Sequence, residues 1–359
     1  MPDLLHGRSS SIFLRFAQCG GNLAPGQRAE KPCPAAPPAT ECRRFACAIK
    51  TGQPFRSAVD KGGLDADAIG NRIKRKSMAK SQKEKAEEFA ALHRSGIFVL
   101  ANAWDIPSAA IAVEEGFKAI ATTSAGMAFT LGLPDHEFTG RDRMMAIVRE
   151  MAPRFDVPLS ADLEAGYGLK PDDVALTVRQ AIEAGAVGCN IEDADPATGK
   201  LIDFDLSVAR IKAGAEAAKK TGMPFVLNAR TDPFLAKFGT PEQNLEESIR
   251  RGNAYAQAGA GSIFVPLPPE ATAIGKLAAG IKAPLNILGG FASKAAPNLS
   301  ELQKLGVRRV SIGGSLMIAA YAHARDALRA IRDSGSFAYA EPKTKNPDFN
   351  ALMRKYPKP

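Results

Sequence analysis

Two carboxylates two residues apart, Asp162 and Glu164, lie in the stretch Ser160-Ala-Asp-Leu-Glu-Ala-Gly-Tyr-Gly168, at the tip of what reads as a buried strand. Side chains on a strand alternate between faces, so both acids point the same way if the strand persists that far. Like charges that close repel, and a cation between them turns the repulsion into binding. Hard oxygen donors ahead of a glycine-rich turn suit Mg²⁺ or Mn²⁺. The same two acids could instead cap the next helix from a solvated loop, and their spacing alone does not choose.

What positions them is a repeating rhythm that starts near residue 82: an amphipathic helix ends at a glycine and a short apolar strand follows. Four such joints read Glu115-Gly-Phe-Lys-Ala-Ile120, Ala184-Gly-Ala-Val-Gly-Cys189, Ala258-Gly-Ala-Gly-Ser-Ile263 and Leu305-Gly-Val-Arg-Arg-Val310, with glycine at the expected helix stop. Thr240-Pro-Glu-Gln243 supplies an N-cap, a first-turn proline and a capping-box partner. Val174, Val178 and Ile182 form an i, i+4, i+8 stripe. Strands are predicted over 97–105, 119–125, 157–163, 188–193, 225–231, 262–268, 284–289 and 309–314. Eight strand–helix units point to an α/β fold, a (β/α)₈ TIM barrel. A doubly wound open sheet is disfavoured by the strand count and by the lack of a G-x-G-x-x-G motif after the first strand.

In such a barrel the chemistry sits at the C-terminal strand ends. Read in order, these tips offer Asn102 and Asp105, Thr123 to Gly126, Asp162 and Glu164, Glu192 and Asp193, Asn228 to Asp232, Pro266, Asn286 with Gly289-Gly290, and Gly313-Gly314. Asp162, Glu164 and Glu192 are oxygen donors for a cation that keeps several waters. Arg230 offers a planar fork for a substrate carboxylate, and Ser124, Ala125 and Gly126 offer backbone N–H groups to the same anion. The competing reading of Arg230 is a salt bridge to Asp232 or Glu192.

The bulk numbers narrow the partners. The chain carries +9, but residues 1–77 hold 13 Lys/Arg against 6 Asp/Glu, leaving only +2 on the other 282 residues. With one Trp and no basic patch interleaved with aromatics, a nucleic-acid partner is not expected. Neither is a membrane, since no apolar run approaches the roughly 20 residues of a spanning helix. Four cysteines, Cys19, Cys33, Cys42 and Cys47, fall in the first 77 residues and Cys189 stands alone in the body. They lack zinc-site spacing, and a cytoplasmic protein is expected. Residues 1–77 show no apolar periodicity and read as a disordered extension, with Met78 a natural start for a barrel domain over 78–359 that ends in helices.

The order Asn102-Ala-Trp-Asp105, Thr123-Ser-Ala-Gly126, Gly132-Leu-Pro-Asp135, Ala161-Asp-Leu-Glu-Ala-Gly-Tyr-Gly168, Asn190-Ile-Glu-Asp193 and Asn228-Ala-Arg-Thr-Asp232 resembles the isocitrate lyase/phosphoenolpyruvate mutase superfamily, over roughly residues 85–335. The resemblance implies a Mg²⁺-dependent barrel enzyme that binds a 2-oxo acid or its enolate and makes or breaks the adjacent C–C or P–C bond. It implies Asp162 as principal metal ligand, with Asp135, Glu164 and Glu192 contacting the ion or its waters. Ser124, Ala125 and Gly126 would hold the oxo-carboxylate and Arg230 its charge; Asn286, read from its strand tip and not from the resemblance, is a further substrate-binding candidate. It also implies a dimer or tetramer in which the last barrel helix, beginning Ser315-Leu-Met-Ile-Ala-Ala-Tyr-Ala322, packs on a neighbouring subunit.

Departures from the superfamily pattern narrow the chemistry. Isocitrate and methylisocitrate lyases carry a Lys-Lys/Arg-Cys-Gly-His loop after the fourth strand; here the segment is Ala194-Asp-Pro-Ala-Thr-Gly-Lys-Leu201, without Cys or His. Pro266 stands where those lyases have a glutamate and the mutase a histidine, and Glu164 stands where aspartate is usual. The expectation is a lyase or hydrolase of a 2-oxo dicarboxylate such as oxaloacetate. Phosphonopyruvate or phosphoenolpyruvate chemistry, methylisocitrate-lyase-like activity and an idle 2-oxo-acid-binding barrel are the alternatives.

Overall fold

Eight strands, β1 (Phe98–Ala103), β2 (Ile120–Thr122), β3 (Leu159–Asp162), β4 (Gly188–Glu192), β5 (Val226–Arg230), β6 (Ser262–Val265), β7 (Leu285–Leu288) and β8 (Arg309–Ser311), each pair in parallel with the next, and β8 closes onto β1. This is the (β/α)₈ barrel expected from the sequence, seen in a computed structural model that describes residues 79–290, 297–340 and 348–358. The extension over 1–77 and its four cysteines lie outside the described residues.

The helices are α1 (Gln82–Leu92), α2 (Ile106–Glu114), α3 (Ser124–Thr130), α4 (Arg141–Met151), α5 (Pro171–Glu183), α6 (Phe204–Lys219), α7 (Pro241–Gln257), α8 (Ala271–Gly280), α9 (Leu299–Lys304), α10 (Ser315–Ser334) and α11 (Phe349–Lys355). Local chemistry explains their ends. Thr240 caps α7 in a capping box with Gln243 behind Pro241, and Asp105 caps α2 through Ser108. Gly185 ends the α5 joint at φ 101°, where a Cβ would stand 2.9 Å from Ala152 Cβ, so both the turn and the packing require glycine. On α5, Val174 and Val178 are fully buried and Ile182 is half-buried, so the predicted stripe faces the sheet. No helix among the described residues is long and apolar enough to cross a membrane.

Outward strand side chains such as Ala161, Ile191, Leu227, Ile263 and Val310 pack against the helices in one continuous core. The floor of the barrel is a separate plug in which Phe89 of α1 joins Phe98, Leu100, Ala121 and Val226. Gly188 makes room for it, since a Cβ there would meet the Phe89 ring at 2.6 Å.

Register decides which inward residues reach the mouth. Glu192 pairs with Arg230, Arg230 with Phe264, Phe264 with Asn286, Asn286 with Arg309, and Arg309 with Phe98. This row of partners begins at a strand tip and ends in the floor plug. Strand tilt in a barrel makes each step along it descend. Glu192 and Arg230 therefore face each other at the top, whereas Asn286 and Arg309 lie progressively deeper.

Candidate active site

Asp162, the last residue of β3, is held from two sides. Its Oδ2 accepts the Ser124 N–H at 2.8 Å and its Oδ1 accepts Asn190 Nδ2 at 2.6 Å. Its own N–H donates to Thr122 Oγ1 at 2.7 Å. The carboxylate is thus aimed into the mouth by β2, β4 and the first turn of α3.

The period-two argument for Glu164 stops one residue short, because β3 ends at Asp162. Glu164 instead adopts φ 52°, in the left-handed region, and its carbonyl accepts the Glu192 N–H at 2.9 Å. This turn, rather than strand alternation, brings the two acids together. Glu164 is buried, and its carboxylate accepts the backbone N–H of Glu137, whose own carboxylate accepts the Tyr167 N–H at 2.6 Å. Burial first, then the charges of Asp162, Asp135 and Glu137, push the Glu164 carboxyl up to about 8. Burial and Asp162 likewise raise Asp135, whose Oδ1 is buried with no partner among the described residues.

Arg230 forms both salt bridges anticipated as its alternative role: Nη1 lies 2.6 Å from Glu192 Oε2 and Nε 2.8 Å from Asp232 Oδ1. Burial opposes its charge, but Asp232 and Glu192 outweigh burial and hold the guanidinium above its ordinary value. Burial pushes the Glu192 carboxyl up against the pull of Arg230. The Arg230 side chain keeps 22 % exposure while Asp232 keeps 1 %, so the guanidinium is the part of this group that a ligand in the mouth could meet.

Other expected residues take different places. Of the three amides assigned to an anion, Ser124 N–H serves Asp162 and Gly126 N–H turns to Thr123 Oγ1 at 3.5 Å. Ala125 N–H lies in the first turn, where no intrahelical acceptor exists. Asn286 is fully buried below the mouth, and its amide exchanges hydrogen bonds with Ser311 at 3.0 and 3.1 Å. Asn102 stitches β1 to β2 and to the residues after β8 through Thr122 O, Ile312 N and Gly313 N. Sequence reasoning passed over Asn190, whose bond to Asp162 follows from the register pairing Asp162↔Asn190 and has no local signature. It also passed over Glu137, Tyr167 and Arg210. The Arg210 guanidinium binds the carbonyls of Ala165 and Glu192 and ties the tips of β3 and β4 together.

Among the described residues no group of three or more acid, histidine or cysteine side chains is placed to hold a metal ion. The unpaired Asp135 Oδ1 and the mutual repulsion of Asp135, Asp162 and Glu164 do fit a cation that keeps most of its water and touches few side chains.

The sequence pattern of the phosphoenolpyruvate phosphomutase family matches residues 89–332. The chain belongs to that family. An uncharacterized protein of Mycobacterium tuberculosis (strain ATCC 25618 / H37Rv) is 35% identical to it over 268 residues, covering 73% of this chain and 96% of the relative. The 2-methylisocitrate lyase of Escherichia coli (strain K12) is 32% identical over 190 residues, 51% of this chain and 60% of that enzyme. The solved structure of oxaloacetate acetylhydrolase in complex with the product oxalate superposes with a TM-score of 0.65 at 28% identity, covering 76% of this chain and 93% of that one. The isocitrate lyase/phosphoenolpyruvate mutase resemblance is thereby established, and the relatives with named activities include lyases, hydrolases and mutases of this superfamily.

Proposed function

We propose that this member is a Mg²⁺-dependent lyase or hydrolase, with Mn²⁺ an acceptable replacement, that cleaves the C–C bond next to the 2-oxo group of a small dicarboxylate such as oxaloacetate. The observation that carries the reading is an acidic cluster with a buried unpaired oxygen on Asp135, sharing one barrel mouth with the guanidinium of Arg230. One side of such a mouth suits a cation and the other a carboxylate. Likeness to oxaloacetate acetylhydrolase supports the substrate class.

In this reading Asp162 would hold the ion, with Asp135, Glu164 and Glu192 binding its water shell. A bound divalent ion would supply Lewis-acid polarisation of the 2-oxo oxygen. Arg230 would grip the substrate carboxylate and the Ala125 N–H would meet the same anion. Glu192 and Asp232 would keep the fork from swinging. Asp135 Oδ1, buried and unpartnered, would take a proton from a water whose oxygen bonds to the 2-oxo carbon; the C–C bond then breaks with its electron pair leaving on the methylene carbon as an enolate, which takes that proton back, while the carboxylate on the 2-oxo side stays in the grip of Arg230. In solution the protein would be a dimer or tetramer assembled through α10.

Turnover of a panel of 2-oxo acids, followed by removal of metal with EDTA and restoration with Mg²⁺, tests this function. Cleavage of oxaloacetate or a close analogue that disappears with EDTA and returns with Mg²⁺ is expected. Activity on phosphonopyruvate alone would redirect it to P–C chemistry, and binding without turnover would make the barrel a 2-oxo-acid receptor.

A further inference from the structure

Behind the mouth, on the outer side of the β4–β5 wall, lies a buried charge network that none of the chemistry above uses. Asp193 follows the last residue of β4, so its side chain points opposite to that of Glu192, away from the barrel axis and toward α7. It is 2 % exposed and takes four donors. Oδ1 accepts the Asp232 N–H at 2.9 Å. Oδ2 accepts Thr231 Oγ1 at 2.7 Å, Tyr255 Oη at 2.6 Å and Arg251 Nη1 at 3.2 Å. Arg251 is tied in turn to Glu247 at 2.6 Å. Glu247, Arg251 and Tyr255 stand at i, i+4 and i+8, one face of α7, so the helix presents a prepared cradle to a single carboxylate.

The other end of this network is the arginine clamp. Arg230 is gripped by Glu192 on one side and Asp232 on the other. Glu192 is joined to Asp193 by a peptide bond, and Asp232 is joined to it by the Oδ1 hydrogen bond. Both jaws of the clamp are therefore referred to one buried group. We propose that Asp193 is a positioning residue, which sets the place and orientation of Arg230 through Glu192 and Asp232 and so controls how the mouth receives a carboxylate. The opposing view is that Asp193 only anchors α7 to the sheet. The two make different predictions, because an anchor affects stability everywhere whereas a positioning group acts through Arg230.

The inference rests on Arg230 as the carboxylate clamp only for its binding readout; its structural readout stands without it. Crystal structures of the full-length wild type and Asp193→Asn give the first test. The neutral amide keeps a single acceptor oxygen, which the obligate donor Arg251 holds on its own side, so the N–H₂ faces the Asp232 N–H, the Asp232 loop should shift and the Arg230 guanidinium should lose its pairing with Asp232. Superimposable Arg230 and Asp232 in the two structures would overturn the proposal. If Asp193→Asn does not fold, Thr231→Val removes one donor without stranding a charge and is compared in the same way.

Calorimetric titration with oxalate in the presence of Mg²⁺ gives the second test. Oxalate affinity should fall about 10-fold or more in Asp193→Asn, with little further fall when the change is added to Arg230→Lys. Glu247→Gln, which loosens the cradle at its far end, should lower melting temperature while leaving oxalate affinity within about 2-fold. Affinity losses that add in the double variant, or that simply follow melting temperature across the three variants, would make Asp193 an anchor and overturn the proposal. If the wild type binds no oxalate, the function proposed above loses its support while the position of Arg230 in the crystal structures still decides the role of Asp193.

Discussion

Asn190 Nδ2 donates to Asp162 Oδ1 at 2.6 Å across a register pair of β3 and β4, so the acid at the centre of the mouth is oriented by the strand beside it. Asp162→Ala should therefore leave the barrel folded, since a tip carboxylate contributes little packing and its loss relieves repulsion with Asp135 and Glu164. Mg²⁺-dependent turnover should fall at least about 100-fold, some 2.7 kcal/mol of barrier, and the heat of Mg²⁺ binding should vanish. Asp162→Asn would keep the shape and lose the charge, so circular dichroism and calorimetry on both variants separate metal loss from misfolding.

Arg230→Lys conserves charge but not the fork that reaches Glu192 and Asp232 at once. An ammonium can serve one of them well and leaves the other short of its partner inside a dry site. KM for the dicarboxylate should rise by about 10-fold or more with a smaller change in kcat, and unfolding free energy should drop by about 1–3 kcal/mol. Equilibrium denaturation and steady-state kinetics on the same preparation check both numbers.

His93 predicts an acid weakness at the other end of the barrel. Its Nδ1 donates to Phe89 O at 2.8 Å, its Nε2 is buried without a partner among the described residues, and burial, reinforced by Arg309, pushes its pKa down to about 3. The folded pKa lies below the unfolded value of about 6.5, so the unfolded chain takes the proton first. The stabilisation is complete above pH about 6.5 and is lost as pH falls from there toward about 3, with a slope of at most about 1.4 kcal/mol per pH unit. The raised Glu164 carboxyl contributes a slope of opposite sign over much of this range, so urea denaturation between pH 7 and 4 reads the His93 part as a difference: wild-type stability should fall relative to His93→Gln as pH drops.

The face of α10 predicts assembly. Ile318, Tyr321 and Leu328, on one face, are each about half exposed or more, and the helix buries only Met317 and Ala327. Apolar side chains at that density on one helix favour burial against another chain. Light scattering at micromolar concentration should give the mass of a dimer or tetramer. Tyr321→Glu together with Leu328→Glu should shift it toward the monomer, as two introduced charges would have to be buried at the contact.

How far the sequence alone carries can be judged residue by residue. All eight strands fall inside their predicted ranges, because buried parallel strands bounded by helix-stopping glycines leave a strong local signal. Asp162, Glu192 and Arg230 were legible as strand tips for the same reason. Strand alternation does not account for the position of Glu164, since the strand ends before it and a left-handed turn carries it. Asn286 looked like a tip residue but lies deep, because height inside a barrel depends on tilt and stagger, which no single strand records. Asn190 and Asp193 are hydrogen-bonded to partners that are tens of residues away in the chain, Asp162 for one and Arg251 with Tyr255 for the other. Nothing in their own neighbourhoods announces it.

The seam between β1 and β8 carries a consequence for how the molecule is made. Val99 pairs with Val310, and Asn102 accepts the Ile312 and Gly313 N–H groups, so the ring is closed by residues more than two hundred positions apart. Chain synthesis must deliver almost the whole barrel before that seam can form, and contacts of such long range slow folding. Until then β1 is an open edge, with unpaired N–H and C=O groups available to other chains. Nascent barrel should therefore be the species that chaperones bind, and the ring should close only once β8 has emerged and docked on β1.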